Sequence, residues 1–292
     1  MEPTLKLAGL ALSGAVLLTG YAPEPNVQAL SLLVLLPGTG MTLTAIVFVV
    51  FALRRGGTWG YLGLGALAWL VTVAVKVVIA FTVNPAVVKA IGVPGASWAP
   101  GNLLLYLYEG SLTGLTEVLL TWLLLQHKRL VRAPWGKVIA FGVGFGAFEA
   151  LLLGLASLAG MLAGLLTPQS FNAQTMATLG RSNDLLYGLA PVAERLAVIF
   201  VHIFCNVLLF YSVMRGQARW MWASFIYKSL LDTIAASAQA WGVETAGKLW
   251  TIEAFMIVFG AVAWWGIRTI GQRYRAETQQ ILDAAANPVA SN

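Results

Sequence analysis

Charge is what this chain has least of. Only 10% of its 292 residues are Asp, Glu, Lys or Arg, against about 25% in soluble domains. A chain that is also 59% hydrophobic, with a mean hydropathy of +0.78, lacks the polar surface a soluble domain needs, and the composition is that of a polytopic helical membrane protein. Cysteine occurs once, at Cys205 in an apolar stretch, which excludes an intrachain disulfide framework and a cysteine metal cluster. Histidine occurs twice, at His127 and His202, too few for the usual histidine-rich catalytic zinc site. The net charge of +6 is read by location, because membrane proteins gather basic residues in cytoplasmic loops. It gives no support for nucleic-acid binding.

Long apolar runs are what the chain has in quantity. Taking about 20 residues as the length needed to cross a bilayer, the spans fall at 5–20, 28–53, 58–83, 101–126, 138–163, 186–214, 221–240 and 249–268. This is an all-α fold, a polytopic transmembrane helix bundle of 7 to 8 spans. The first run is short and ends in Thr19-Gly20-Tyr21-Ala22-Pro23, so residues 1–27 read either as an extra helix or as a signal peptide with its linker. Residues 28–275 form the helix-bundle domain, and 276–292 a polar cytoplasmic tail.

Basic residues sit in alternate gaps: Arg54 and Arg55; Lys128, Arg129, Arg132 and Lys137; Arg215 and Arg219; Arg268, Arg273 and Arg275. These gaps are cytoplasmic under the positive-inside rule, so the C-terminus is inside and segments 84–100, 164–185 and 241–248 face outward. The expected location is the cytoplasmic membrane of a bacterium, in contact with membrane lipid. Trp59, Trp98, Trp135, Trp220, Trp222, Trp241 and Trp250 fall near span ends, as interface anchors do.

Against this background Glu117, Glu149, Arg195, His202 and Asp232 stand out, because each lies inside a span. A charge at the centre of a bilayer costs about 2.5–3.5 kcal/mol even on insertion scales, so such residues face the bundle interior and pair there. Counted from the cytoplasmic end of its span, Glu117 lies nine residues in, Glu149 eleven, His202 twelve and Asp232 eleven. At a common rise per residue the four reach nearly one level. Arg195, His202 and Asn206 are seven and four apart and share a helix face, as do Tyr106, Glu109, Thr113 and Glu117. Lys228 and Asp232 form an i, i+4 pair.

These residues resemble a family, the YhfC type of intramembrane peptidases, related to the CAAX-protease and bacteriocin-processing (CPBP) glutamic intramembrane proteases. The likeness runs over roughly residues 30–270. It is carried by Gly114-Leu-Thr-Glu117, by Phe141-Gly-Val-Gly-Phe-Gly-Ala-Phe-Glu149-Ala, by Glu194-Arg195, by His202-Ile-Phe-Cys-Asn206 and by a late segment ending at Asp232. The chain departs from the family pattern in having Val118 after the first glutamate and no arginine within the next turn. Phe145 stands where the second motif often carries a histidine, and Lys228 where a late histidine is sought. The resemblance implies hydrolysis of membrane-anchored peptides. Glu117 would be the base that activates water, and His202 with Asn206 would orient that water and bind the oxyanion. Glu149 belongs with them, and Glu194, Arg195, Lys228 and Asp232 would support them.

Other readings of the same residues stay open. Glu194 with Arg195, and Lys228 with Asp232, also read as structural ion pairs, and His202 as a hydrogen bond between helices. Gly142-Val-Gly144-Phe-Gly146 sits inside a span rather than after a strand, so it reads as close helix packing and not as a nucleotide loop. Lys76, Glu109 and Glu253 read as snorkelling or vestibule residues. A carboxylate-rich metal site from Glu117, Glu149, His202 and Asp232 is selected by nothing in the spacing, so neither a metal nor another cofactor is expected. Three function classes follow: a glutamic-type intramembrane protease, a catalytically degenerate protein that binds peptides or partner subunits, and a transporter. The last lacks a visible inverted repeat.

Overall fold

The computed structural model describes residues 29–91, 100–127, 130, 132–241, 243 and 245–286. The hydrophobic segment expected at 5–20 lies outside them. Among the described residues there is no strand. After a 3-10 turn at Leu32–Leu35 come α1 (Leu36–Arg54), α2 (Trp59–Thr82), the short α3 (Asn84–Ile91) and α4 (Pro100–Thr113). A π-helical turn (Gly114–Leu119) runs straight from α4 into α5 (Leu120–Leu125). The chain continues through α6 (Trp135–Leu166), the short α7 (Ala173–Gly180), α8 (Leu185–Arg215), α9 (Ala218–Trp241) and α10 (Ala246–Ala286).

Six of these helical stretches are long and apolar enough to cross a membrane: 32–54, 59–82, 101–125, 135–166, 185–215 and 246–280. At 24 residues α9 is as long as α2, but it carries Arg219, Lys228 and Asp232 and is not among the six. Seven of the expected spans thus coincide with helical stretches, six of which also meet the criterion of length and apolarity.

Capping fixes the ends of the central helix. The Asp184 carboxylate accepts from the Leu186 backbone N–H at 2.7 Å, and Gly216 closes α8 in the left-handed region at φ 62°. An aspartate satisfies donors that no helical carbonyl can reach, and glycine takes positive φ without steric cost. The polar segment 164–185, expected as a loop, contains α7, whose first turn is capped by Asn172 accepting from Thr175 N–H at 2.8 Å.

Helix α8 is the axis of the bundle, packed against α1, α6, α9 and α10. Its most apolar stretch is 78% buried and that of α6 is 67%, against 33% for α1, α2 and α10. The outer helices instead expose residues such as Leu43, Val78, Ile226 and Val258, the surface a hydrocarbon solvent requires. Small residues let the inner helices meet. A Cβ on Gly144 would collide with the Leu62 carbonyl of α2, and one on Gly146 would press on His202 and Ile199 of α8. The glycine run is therefore the packing device its position inside a span indicated.

Candidate functional site

The polar residues of four helical segments meet around His202, which is 1% exposed. Its Nε2 lies 2.9 Å from Glu149 Oε2 of α6, and its Nδ1 lies 3.9 Å from Glu117 Oε2 of the π-helical turn. The common depth counted along the sequence corresponds to contact in space. A π turn adds a residue to one turn of helix and re-aims the side chains after it. Here it carries Glu117, and the close approach of α9 is permitted by Gly114, where a Cβ would collide with Ser229.

Each carboxylate is held by cations. Arg195 donates from Nη1 to Glu149 Oε1 at 2.5 Å and from Nη2 to Glu194 Oε1, so that one guanidinium spans two glutamates. Lys228 Nζ lies 3.0 Å from Asp232 Oδ2 and 3.3 Å from Glu117 Oε2. Lys76 Nζ approaches Glu117 Oε1 at 3.6 Å and Thr113 Oγ1 at 3.4 Å. Trp69 donates its indole N–H to Glu149 Oε2 at 2.9 Å. The result is one continuous network from Lys76 through Glu117, His202, Glu149 and Arg195 to Glu194. Asn206 sits one turn from His202, donating to the His202 carbonyl at 2.8 Å, while its Oδ1 is buried without a hydrogen-bond partner among the described residues.

All eight residues singled out in the sequence thus lie in or beside this network. Two members were not assigned to it. Lys76 is mid-helix and reads as snorkelling until α2 is seen to lie against the π turn. Trp69 carries no charge, so nothing in one sequence distinguishes its buried N–H from the interfacial tryptophans. Glu253, 4% exposed, lines a cavity that adjoins the network at Glu194 and Arg195.

The donor set does not suit a metal ion. A catalytic zinc takes three protein ligands and an open position, and among the described residues no three His, Cys, Asp or Glu side chains form such a group. His202 is the single imidazole in the cluster, and both its nitrogens already face carboxylates. A dication on Glu117 would stand beside the ammonium groups of Lys228 and Lys76, and one on Glu149 beside the Arg195 guanidinium. Like charges at that range oppose binding strongly inside a protein.

Chemically, the arrangement offers a carboxylate, an imidazole and an amide at one depth. Glu117 Oε2 and His202 Nδ1, 3.9 Å apart, are too far apart for a direct hydrogen bond. The substituted positions have apolar occupants. The Phe145 ring packs on the His202 ring with centroids 5.1 Å apart, and Val118 is 2% exposed in the core. Compared with known proteins, the chain matches no curated protein and no solved structure. A family model described as YhfC intramembrane metalloprotease matches residues 40–256.

Proposed function

Because the chain belongs to the YhfC intramembrane metalloprotease family, we propose that it is an intramembrane peptidase of the glutamic type, hydrolysing peptide bonds of membrane-anchored substrates. The observation that carries this reading is the meeting of Glu117, His202 and Glu149 around one buried point, with Asn206 one turn away. Glu117 takes the proton of the attacking water, and the resulting hydroxide adds to the scissile carbonyl. The oxyanion is met by the Asn206 amide N–H and by the Nδ1–H of a His202 imidazolium whose Nε2–H is held by Glu149, and the proton taken by Glu117 passes to the leaving amine as the C–N bond breaks. Positioned donors and a positioned base are what such a reaction requires. Glu149, fixed by Trp69 and Arg195, orients His202.

The word metalloprotease in the family description does not fit this donor set, in which each carboxylate is held by a cation of the chain itself. No step is routed through a metal. We further assign seven to eight spans, a C-terminus on the cytoplasmic side and a bacterial cytoplasmic membrane, on the alternation of basic gaps.

A second reading, a non-catalytic member that binds membrane peptides or partner subunits, is favoured by one observation. Phe145 lies on His202, and Val118 fills the core beside Glu117. Purified protein in lipid, offered a panel of membrane-anchored peptides, separates the two readings. The expected result is cleavage that resists a chelator and falls by about 10²–10⁴-fold in Glu117→Gln, the usual effect of removing a general base. Loss of cleavage on chelation would overturn the metal-free mechanism. Absence of cleavage by folded wild type would establish the non-catalytic reading.

A further inference from the structure

Away from the basic loops, a cavity of about 440 Å³ opens between the early turns of α1, α8 and α10 and the late turns of α6. The size is that of a ligand pocket. Its walls are apolar, with Met41, Leu153, Met161 and Leu249 among them, and its polar groups include Glu194, Arg195 and Glu253. The cavity therefore reaches the guanidinium that holds Glu149, one residue short of His202.

Glu194 and Glu253 are less fully compensated than Glu117 and Asp232. Glu117 and Asp232 have Lys228 and Lys76 beside them. Among the described residues Glu194 is paired with Arg195 alone, whose other arm is on Glu149. Glu253 is 96% buried, being 4% exposed, and its Oε2 has no hydrogen-bond partner among the described residues. Among the described residues the charged groups nearest in effect to Glu253 are Glu194 and Arg195. Arg181, on the turn Arg181–Asn183, also lines the cavity, and no ion pair joins it to Glu194 or Glu253 among the described residues. An unpaired carboxylate in apolar surroundings is costly, and a cation arriving with a ligand removes that cost.

We infer that this cavity binds a primary ammonium group on an apolar stem, held between Glu194 and Glu253, and that the stem belongs to a membrane peptide. The ammonium comes either from the peptide's own N-terminus or from a lysine side chain. Glu194 lies nine residues inside α8, roughly 14 Å along the helix, so the ammonium has to be carried in on a stem, and a lipid amine is the other source that the test below separates. The peptide rests on the peptidase reading. The ammonium site does not.

The test uses the full chain carrying Glu117→Gln, so that turnover plays no part, in phosphatidylcholine nanodiscs. A fluorescent single-span peptide with a free N-terminus is compared with its acetylated form, and an acetylated peptide with lysine near its outer end is compared with norleucine at the same position. The expected result is about tenfold tighter binding in at least one ammonium-bearing arm, as charge-assisted contacts give, and the pair that differs identifies the source. Glu253→Gln is expected to bring the ratio to about one. Equal binding within both pairs overturns the inference, as does displacement of the peptide by phosphatidylethanolamine at matched concentration, which would assign the site to lipid. A further arm needs no variant: hexylammonium, but not hexanol, should raise the melting midpoint of the wild-type chain, and an equal effect of the two, or none, also overturns it. If ammonium discrimination persists while no peptide is cleaved, the peptidase reading falls and this one stands. Cleavage without discrimination is the reverse.

Discussion

Arg195 carries two carboxylates on one side chain, and the planar fork of a guanidinium is what makes that possible. Its arms reach Glu149 on α6 and the adjacent Glu194, and the residue is 3% exposed. A lysine at this position presents a single ammonium that cannot bridge both partners in the same geometry. Arg195→Met leaves Glu194 without its cation and Glu149 with only Trp69 and His202 beside it, and breaking a buried pair from one side costs about 3–5 kcal/mol. The melting midpoint in detergent is expected to fall sharply for Arg195→Met and by a smaller amount for Arg195→Lys. Lys228 poses the same problem between Glu117 and Asp232, and here a compensating change exists. Lys228→Leu alone should destabilise by a similar amount, whereas Lys228→Leu combined with Asp232→Asn should recover part of the loss. A double-mutant cycle measures the difference.

Among the elements, the π turn at Gly114–Leu119 was not legible in the sequence. The seam Tyr106, Glu109, Thr113, Glu117 follows from 3.6-residue periodicity, which carries no signal for one widened turn. Deleting Leu115, 47% exposed and outside the network, should restore regular helix and turn Glu117 relative to α5. Cleavage is expected to be lost while helical content by circular dichroism is kept. The glycine face of α6 was legible, because small residues inside an apolar span have one common use. Gly146→Leu would push into His202 and Ile199. Overpacking of this kind costs typically about 1–3 kcal/mol, seen as a lower melting midpoint. The depth of Glu117, Glu149, His202 and Asp232 could be counted along the chain because rise per residue is constant. Which helix faces which could not, so the contacts of Lys76 and Trp69 emerged only from the packing of α2 on the π turn and α6.

For the whole molecule, composition alone specified a helical membrane protein, since a chain so poor in charge has no other solvent for its exposed Leu, Val and Phe. Sidedness rests on the basic gaps and is open to direct measurement. Cys205 is buried, so a cysteine placed by Asn172→Cys or Gln217→Cys is the reactive thiol in the chain. In intact cells a membrane-impermeant maleimide is expected to label position 172, while position 217 should be labelled only after permeabilisation. The reverse pattern would invert the topology.

The shared charges also have a consequence for how the protein is made. Lys76 leaves the ribosome well before Glu117, Glu149 follows, and the cations that complete the set, Arg195 and Lys228, arrive last. Glu149 therefore enters the bilayer before Arg195 exists, and Glu117 enters with Lys76 but without Lys228, an uncompensated charge costing about 2.5–3.5 kcal/mol. Membrane insertion is then expected to be collective, the first helices waiting at the translocation channel until α8 and α9 emerge. A chain truncated before Ala218 would present Glu117 to lipid without Lys228, and quality-control proteolysis should clear it faster than the full-length protein.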